Sequence, residues 1–196
     1  LITVLDYGMG NLRSVEKAIE FLGFQCHVTS SIAGATKLII PGVGAFGAAM
    51  ERLAPLAGEI RSFAHGGGPL LGICLGQQLL FDVSEEHGEN RGLGLIGGSV
   101  RYLPPDLGLK VPHIGWSPLA YRTHDGLALN GLEGEQVFFV HSLYTECSDT
   151  NDIVATATYG IEFAAAVQRA NVWGTQFHPE KSSSVGLRIL KNFLEC

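Results

Sequence analysis

The 196-residue chain is poor in basic residues: 13 Lys and Arg stand against 19 Asp and Glu, a net charge of −6. A protein that binds nucleic acid as its main partner needs a basic face for phosphates, so that class is disfavoured. There is no apolar run of the ~20 residues that a membrane helix requires, and no basic run, low-complexity segment or internal repeat. Residues 1–6 are apolar but lack the charged start and small-residue cleavage site of a signal peptide. A chain that opens on Leu1 rather than Met is expected to lack a few residues in front. Cysteine is scarce too. Cys26, Cys74, Cys147 and Cys196 are scattered, with no Cys-x-x-Cys pair, so no metal site is expected. A composition 46% hydrophobic supplies one core without disulfides, which predicts free thiols in a reducing cytoplasm. The length suits one domain over residues 1–196.

Glycine, by contrast, is plentiful at 26 residues, and much of it punctuates turns beside apolar runs. The first half reads as alternating strand and helix. Leu1–Asp6, Gln25–Thr29, Lys37–Ile40 and Pro69–Ile73 are expected strands. Asn11 is expected to cap a helix with Leu12, Val15, Ala18, Ile19 and Leu22 on one face, ended by Gly23. Phe46–His65 reads as a helix broken or kinked at Pro55. In the second half Ser99–Leu103, Gln136–Val140, Ile153–Thr158, Phe163–Gln168 and Val172–Phe177 look extended, and Val185–Leu194 closes as an amphipathic helix. This order predicts an α/β fold: a mostly parallel central sheet with helices on both faces, plus an antiparallel region. Ligands of such sheets bind at the carboxyl ends of the strands. Asp6-Tyr7-Gly8, the loop Pro41-Gly42-Val43-Gly44 and Cys74 all follow strand ends and should share one edge.

The chemistry concentrates at Cys74. An apolar strand, Leu70–Ile73, runs into Gly72-Ile73-Cys74-Leu75-Gly76, and a helix-like stretch follows through Phe81. A nucleophile on a sharp strand-to-helix turn has this pattern, and free N–H groups at a helix start favour a thiolate. Such a cysteine needs a base. The histidines are His27, His65, His87, His113, His124, His141 and His178. Only His178 sits in a suggestive frame, Phe177-His178-Pro179-Glu180-Lys181-Ser182. Pro179 favours an extended His178, and residues two apart in an extended segment share a side, so Glu180 could orient the imidazole. Taken alone, His-Pro-Glu reads rather as a turn with a solvated acid; Cys74 is what favours the catalytic reading. The glycines of Pro41-Gly42-Val43-Gly44-Ala45-Phe46 could free backbone N–H groups for an oxyanion; an ordinary Gly-rich turn is the competing reading.

Together, Gly72–Phe81 and Phe177–Glu180 resemble the class I (triad) glutamine amidotransferases. Four further segments narrow the resemblance to the glutaminase subunits of imidazole glycerol phosphate synthases: Asp6-Tyr7-Gly8-Met9-Gly10-Asn11-Leu12, Pro41–Phe46, Pro112-His113-Ile114-Gly115-Trp116 and His178–Ser182. The resemblance spans essentially the whole chain. It implies hydrolysis of glutamine to glutamate and ammonia, with Cys74 as nucleophile, His178 handling the proton and Glu180 orienting it. It implies oxyanion donors at Val43 and Leu75, and substrate contacts at Gly42, Gln78, Glu86, Ser142 and Leu143. A solvated charge in Glu85-Glu86 is the alternative for Glu86. The implied partner is a (β/α)₈-barrel cyclase subunit, in a heterodimer. It would receive the ammonia and convert the formimino carboxamide nucleotide PRFAR to imidazole glycerol phosphate and AICAR, in histidine biosynthesis. Gly8, Gly10, Asn11, Trp116, Phe138 and Lys181 match partner-facing positions; an ordinary solvated lysine is the alternative for Lys181. No cofactor is implied.

The chain departs from the family pattern at Phe138, where many relatives have Tyr, at Leu143, often aromatic, and at Ser117, commonly Asn. Tyr144 follows Leu143, but a one-residue offset in a strand points to the other face. Rival readings are another amidotransferase, such as one feeding pyridoxal phosphate synthesis, a stand-alone cysteine hydrolase or redox sensor, and a silent scaffold. The Pro41–Gly44 loop and His113–Trp116 count against the first, His178–Glu180 and Gln78 against the second, and the complete triad against the third.

Overall fold

A computed structural model describes residues 1–122 and 133–196, so His124 lies outside the described residues. The first half alternates strand and helix: β1 (Ile2–Leu5), α1 (Leu12–Phe21), β2 (Cys26–Thr29), β3 (Lys37–Gly42), α2 (Phe46–Leu53), α3 (Ala57–His65), β4 (Leu70–Cys74) and α4 (Leu75–Leu79). Strands dominate thereafter: β5 (Phe81–Ser84), β6 (Asn90–Arg91), β7 (Ile96–Tyr102), β8 (His113–Pro118), β9 (Ala120–Tyr121), β10 (Gln136–His141), β11 (Leu143–Cys147), β12 (Ile153–Tyr159), β13 (Ile161–Arg169) and β14 (Val172–Thr175). Helix α5 (Ser183–Glu195) ends the chain.

Eight strands form the main sheet in the order β2-β1-β3-β4-β14-β13-β12-β9. The β2-β1-β3-β4-β14 part is parallel, and β13, β12 and β9 extend it antiparallel. Parallel strands covered on both faces read as unbroken apolar runs, and β3 and β4 do. Alternation along β3 splits its side chains. Leu38 and Ile40 pack with Phe46, Leu53 and Ile60 of α2 and α3, while Ile39 packs with Val15 and Ile19 of α1 and Leu190 of α5. Two smaller units flank the main sheet: the four-stranded sheet β11-β7-β5-β6 and the antiparallel ribbon β10-β8.

Several local expectations shift. Asn11 precedes α1, but its side chain makes no capping hydrogen bond. Gly23 follows the helix with φ +85, a left-handed conformation that glycine adopts without strain. The break near Pro55 is a short 3₁₀ turn, Ala54–Leu56, that divides α2 from α3. Strand β3 runs on through Pro41 and Gly42, two residues expected in a loop. Its pairing with β1 ends at Ile39, so Pro41 needs partners only on the β4 side, where it faces Ile73. The helix expected through Phe81 stops at Leu79, because Phe81 opens β5 with its ring fully buried. Strands β5, β6, β8, β9 and β11 are not legible in the sequence because apolar–polar alternation in them is short or interrupted by glycine. Among the described residues, no helix is long and apolar enough to cross a membrane.

Candidate active site

Cys74 stands at the carboxyl end of β4 and immediately before α4, with φ 55° and ψ −107°. A non-glycine residue in that region is strained by ~1–3 kcal/mol, so the surroundings must hold it there. Two glycines make the turn sterically feasible. A Cβ on Gly76 would fall 1.8 Å from the Ile40 carbonyl oxygen, and one on Gly72 would fall 2.5 Å from that of Gly76. Helix α4 has five residues, too few for a sizeable dipole. Its useful electrostatic feature is the first-turn N–H groups, beginning at Leu75, that no helical carbonyl accepts.

The Cys74 side chain meets three residues. As a thiol it donates to the Val140 carbonyl oxygen at 3.7 Å; as an acceptor it faces Gln176 Nε2, also at 3.7 Å. The third neighbour is His178, whose imidazole Cys74 supports by hydrogen bond and charge. His178 Nδ1 contacts Glu180 Oε1 at 2.8 Å, with both side chains almost wholly buried. The two residues come together through a 3₁₀ turn, Pro179–Lys181, rather than along an extended segment. The backbone of His178 is bracketed as well. Its N–H donates to Phe138 O at 3.0 Å, and its carbonyl accepts from Ser182 Oγ at 2.6 Å, which in turn accepts from Phe138 N at 2.9 Å.

Burial is the largest single influence on His178 and pulls its pKa down. The hydrogen bonds and charges of Cys74 and Glu180 together outweigh it and raise the value to about 9. His141 goes the other way. Burial, with smaller contributions from the charges of His113 and His178, takes it to about 4 despite its bond to Leu143 O. Burial lowers His113 too. His113 and His141 are therefore held neutral at pH 7, while His178 is charged when it holds the Cys74 proton, which separates their roles. An NMR titration of the imidazoles should show His178 keeping its proton until about pH 9, and His141 titrating near 4. Glu180→Gln should move the His178 midpoint down toward 6.5, since the amide supports the imidazolium less. Because the folded value is raised, the stabilisation from this group is full below about 6.5 and is lost as pH climbs through about 9.

Beside Cys74 opens a cavity of about 300 Å³, the size of a small polar metabolite. Val43, Gly44 and Leu75 line it beside Cys74, with Gln78, Glu86, Ser142, Leu143, His178 and Lys181, and with Pro112, Val140 and His141 from the ribbon side. Gly42 is not in the lining. It lies behind the wall as the ladder partner of Cys74, where a Cβ would strike Tyr7 Oη at 2.5 Å. Glu86 is half-buried, and its Oε2 accepts the Phe46 N–H at 2.5 Å, at the amino end of α2. It is therefore a bonded wall residue rather than a freely solvated charge. Gln78 is buried, and its Nε2 donates to Leu143 O at 3.3 Å and to Gln176 Oε1 at 3.1 Å.

The positions expected to face a partner spread around this cavity. Ribbon β8–β10 turns His113 and Ser117, with Val137, Phe139 and His141, inward. It presents Ile114 and Trp116 to solvent, paired across the strands with Val140 and Phe138. The Trp116 and Phe138 rings lie 5.8 Å apart, and Trp116 is 48% exposed. Lys181 is exposed at the cavity mouth. Gly8 is exposed, with its carbonyl held by Arg52 Nη1 at 3.2 Å, and it is not in the cavity lining. Gly10 has φ +130 and backs onto Pro41 and Gly42, and Asn11 is half-buried beside it. His27, His65 and His87 are exposed and none of them lines the cavity, although His87 follows Glu86, which does.

Three residues with a part in this geometry escape a reading of the sequence. Tyr7 Oη donates to Pro41 O at 2.8 Å, and burial, then the charge of Cys74, keeps the phenol protonated well above its ordinary range. His141 and Gln176 are the others. Gln176 lies two residues before His178, and the same alternation used for Glu180 would have placed it on the His178 side. Among the described residues no cluster of His, Cys, Asp and Glu is suited to a metal ion. All four cysteines are free.

Comparison with known proteins agrees with this architecture. The model of the family Glutamine amidotransferase class-I matches residues 3–196. The chain is 48% identical to the imidazole glycerol phosphate synthase subunit HisH of Syntrophotalea carbinolica, with 98% of each chain covered. It is 48% identical to HisH of Moorella thermoacetica, over 99% of this chain and 94% of that one, and 46% identical to HisH of Methanosarcina barkeri, over 99% and 98%. In fold it is similar to a glutamine amidotransferase crystal structure, with a TM-score of 0.77 and 21% identity over 99% and 97% of the two chains. The PurLQS structure from Thermotoga maritima gives 0.76 and 21% over the same shares. A thiol on a strained strand-to-helix turn, a carboxylate-paired histidine beside it and relatedness along the full chain lead to one assignment: the chain belongs to the class I glutamine amidotransferases, as a HisH-type glutaminase subunit of imidazole glycerol phosphate synthase.

Proposed function

We propose that residues 1–196 act as one domain that hydrolyses glutamine at Cys74 and delivers the ammonia to a (β/α)₈-barrel cyclase bound over the cavity. The observation that carries this reading is the placement of Cys74 at the wall of the cavity, with His178 raised to about 9 by Cys74 and Glu180. Sulfur attacks the side-chain amide carbon of glutamine after its proton has passed to His178 Nε2, the ring nitrogen not held by Glu180. The N–H groups of Val43 and Leu75 receive the oxyanion. The imidazolium gives its proton to the departing nitrogen, ammonia leaves, and a thioester remains. His178 then takes a proton from water as that water attacks the thioester, and glutamate and the thiol are restored. Gln78, Glu86, Ser142 and Leu143 hold the substrate, with Gly42 setting the wall behind them.

Ammonia is protonated in neutral water and is then no nucleophile, so its product site must adjoin its source. Exposed Trp116 and Ile114, each paired with a half-buried apolar residue, Phe138 and Val140, fit a protein cover, since Val140 also lines the cavity. Lys181 at the mouth suits an acid of the cyclase; Gly8, Gly10 and Asn11 extend the contact around the other side. The cyclase converts PRFAR and the ammonia to imidazole glycerol phosphate and AICAR. Free thiols fit a cytoplasmic site. The test is reconstitution of the chain with a barrel cyclase and PRFAR. Glutamate release should be slow for the chain alone, should rise at least about tenfold in the loaded complex, and should match imidazole glycerol phosphate mole for mole. Equal glutamate release with and without cyclase would overturn the coupling.

A further inference from the structure

Gln176 is fully buried and follows the last residue of β14, where Thr175 pairs with Ile73 of β4. Its N–H donates to Ala165 O at 2.9 Å, so its backbone is fixed one step from the neighbour of Cys74. The orientation of its amide follows from its surroundings. Leu143 O can only accept, so the Gln78 group 3.3 Å from it is the amino end. That same Nε2 lies 3.1 Å from Gln176, which must present its oxygen there. Gln176 Nε2 is thereby turned to Cys74 Sγ at 3.7 Å. Leu143 O is itself held by His141 Nδ1 at 2.8 Å, and His141 Nε2 faces His113 Nδ1 at 3.0 Å. Since His141 must spend its proton on Leu143 O, His113 donates to it, and the Ser117 hydroxyl, 3.2 Å from His113 Nε2, donates in turn. An ordered series of donors thus starts on β8 beside the exposed Trp116, converges on Leu143 O, and continues through Gln78 to the sulfur.

We infer that Gln176 is a further catalytic residue, whose amide N–H stabilises the Cys74 thiolate, and that Gln78 is a positioning residue that keeps that N–H aimed. An amide N–H has only a proton to offer, so it favours the form in which sulfur accepts, whereas Val140 O favours the thiol. In that form the proton that left sulfur is the one held on His178 Nε2, and no group outside the site is needed. Gln78 therefore serves the nucleophile as well as the cavity wall. The inference rests on Cys74 being the nucleophile, which the alanine variant discussed below tests separately.

The experiment follows alkylation of Cys74 by iodoacetamide as a function of pH in the full chain, read by peptide mass spectrometry, with Cys26, Cys147 and Cys196 as internal controls. Gln176→Leu keeps the bulk and removes the donor. Its Cys74 curve should move to higher pH, with alkylation at pH 7 slower by about tenfold, while the control cysteines are unchanged. Gln176→Glu keeps the acceptor toward Gln78 but puts a carboxylate oxygen beside sulfur, and should move the curve in the same direction. Gln78→Leu should give a smaller shift of the same sign. Circular dichroism identifies the variants that fold. If either substitution at Gln176 gives a folded protein whose curve overlays the parent curve, the role is overturned, even where thermal stability is lost. Loss of activity in the alanine variant with an unmoved alkylation curve here would leave Cys74 as nucleophile and remove Gln176 alone.

Discussion

Cys74→Ala should abolish glutamine-dependent turnover, by on the order of 10⁴-fold or more, because no other thiol lines the cavity among the described residues. The loss should be chemical rather than structural. Alanine meets the same backbone strain at φ 55°, and the sulfur's contacts to Val140 and Gln176 are long, at 3.7 Å. The folded variant should still bind its cyclase, and the complex should still make imidazole glycerol phosphate from PRFAR when ammonium salts replace glutamine. The informative measurement is the pair of rates, glutamine-dependent and ammonium-dependent, on one preparation. Retention of full glutaminase activity would remove Cys74 from the mechanism; loss of both activities would mean that the substitution had disturbed the interface.

Gly76→Ala should do the opposite, breaking the fold without removing a reacting group. The added methyl would overlap a backbone carbonyl, Ile40 O, at 1.8 Å, and no rotamer can relieve it. Either β3 or α4 must move, and both are anchored in the core. A destabilisation of more than ~4 kcal/mol is expected, most of the reserve of an ordinary domain. Gly58→Ala is the matched control. Gly58 lies in α3 with nothing within 4 Å of the added carbon, so that variant should be neutral or stabilised by up to ~1 kcal/mol. Urea unfolding of the two variants beside the parent decides the matter; a Gly76→Ala midpoint equal to the parent's would refute this packing.

Much of the parallel half was legible because its strands are long apolar runs separated by helical periods. Val15, Ala18 and Ile19 face inward as the α1 spacing requires, and Pro55 does divide the following helical segment. Boundaries were less legible where tertiary pairing decided them. Nothing local says that Pro41 and Gly42 belong to β3, because the reason is where β1 stops pairing. Strand β8 shows the same limit: His113 and Ser117 are polar yet inward, so their alternation with Ile114 and Trp116 has the apolar residues outside. A polar inner face is legible only once the donors and acceptors that satisfy it are known. Cys74, His178 and Glu180 stood out by residue type and spacing. Gln176, Tyr7 and His141 did not, since their significance lies in bonds to distant residues: Cys74, Pro41 and His113.

The segment between β3 and α2 is tied at both ends. Tyr7 holds Pro41 by its carbonyl, Gly42 is locked in the ladder opposite Cys74, and Glu86 holds the first N–H of α2 at Phe46. Only Val43, Gly44 and Ala45 lie between these anchors, and Gly44 already adopts φ +118. Such a span behaves as a crankshaft: opposed rotations about adjoining torsions turn a peptide plane while the two journals stay still. Any turn of a peptide plane in this span would then be confined between the bond at Pro41 and the bond at Phe46, which stay as the fold sets them.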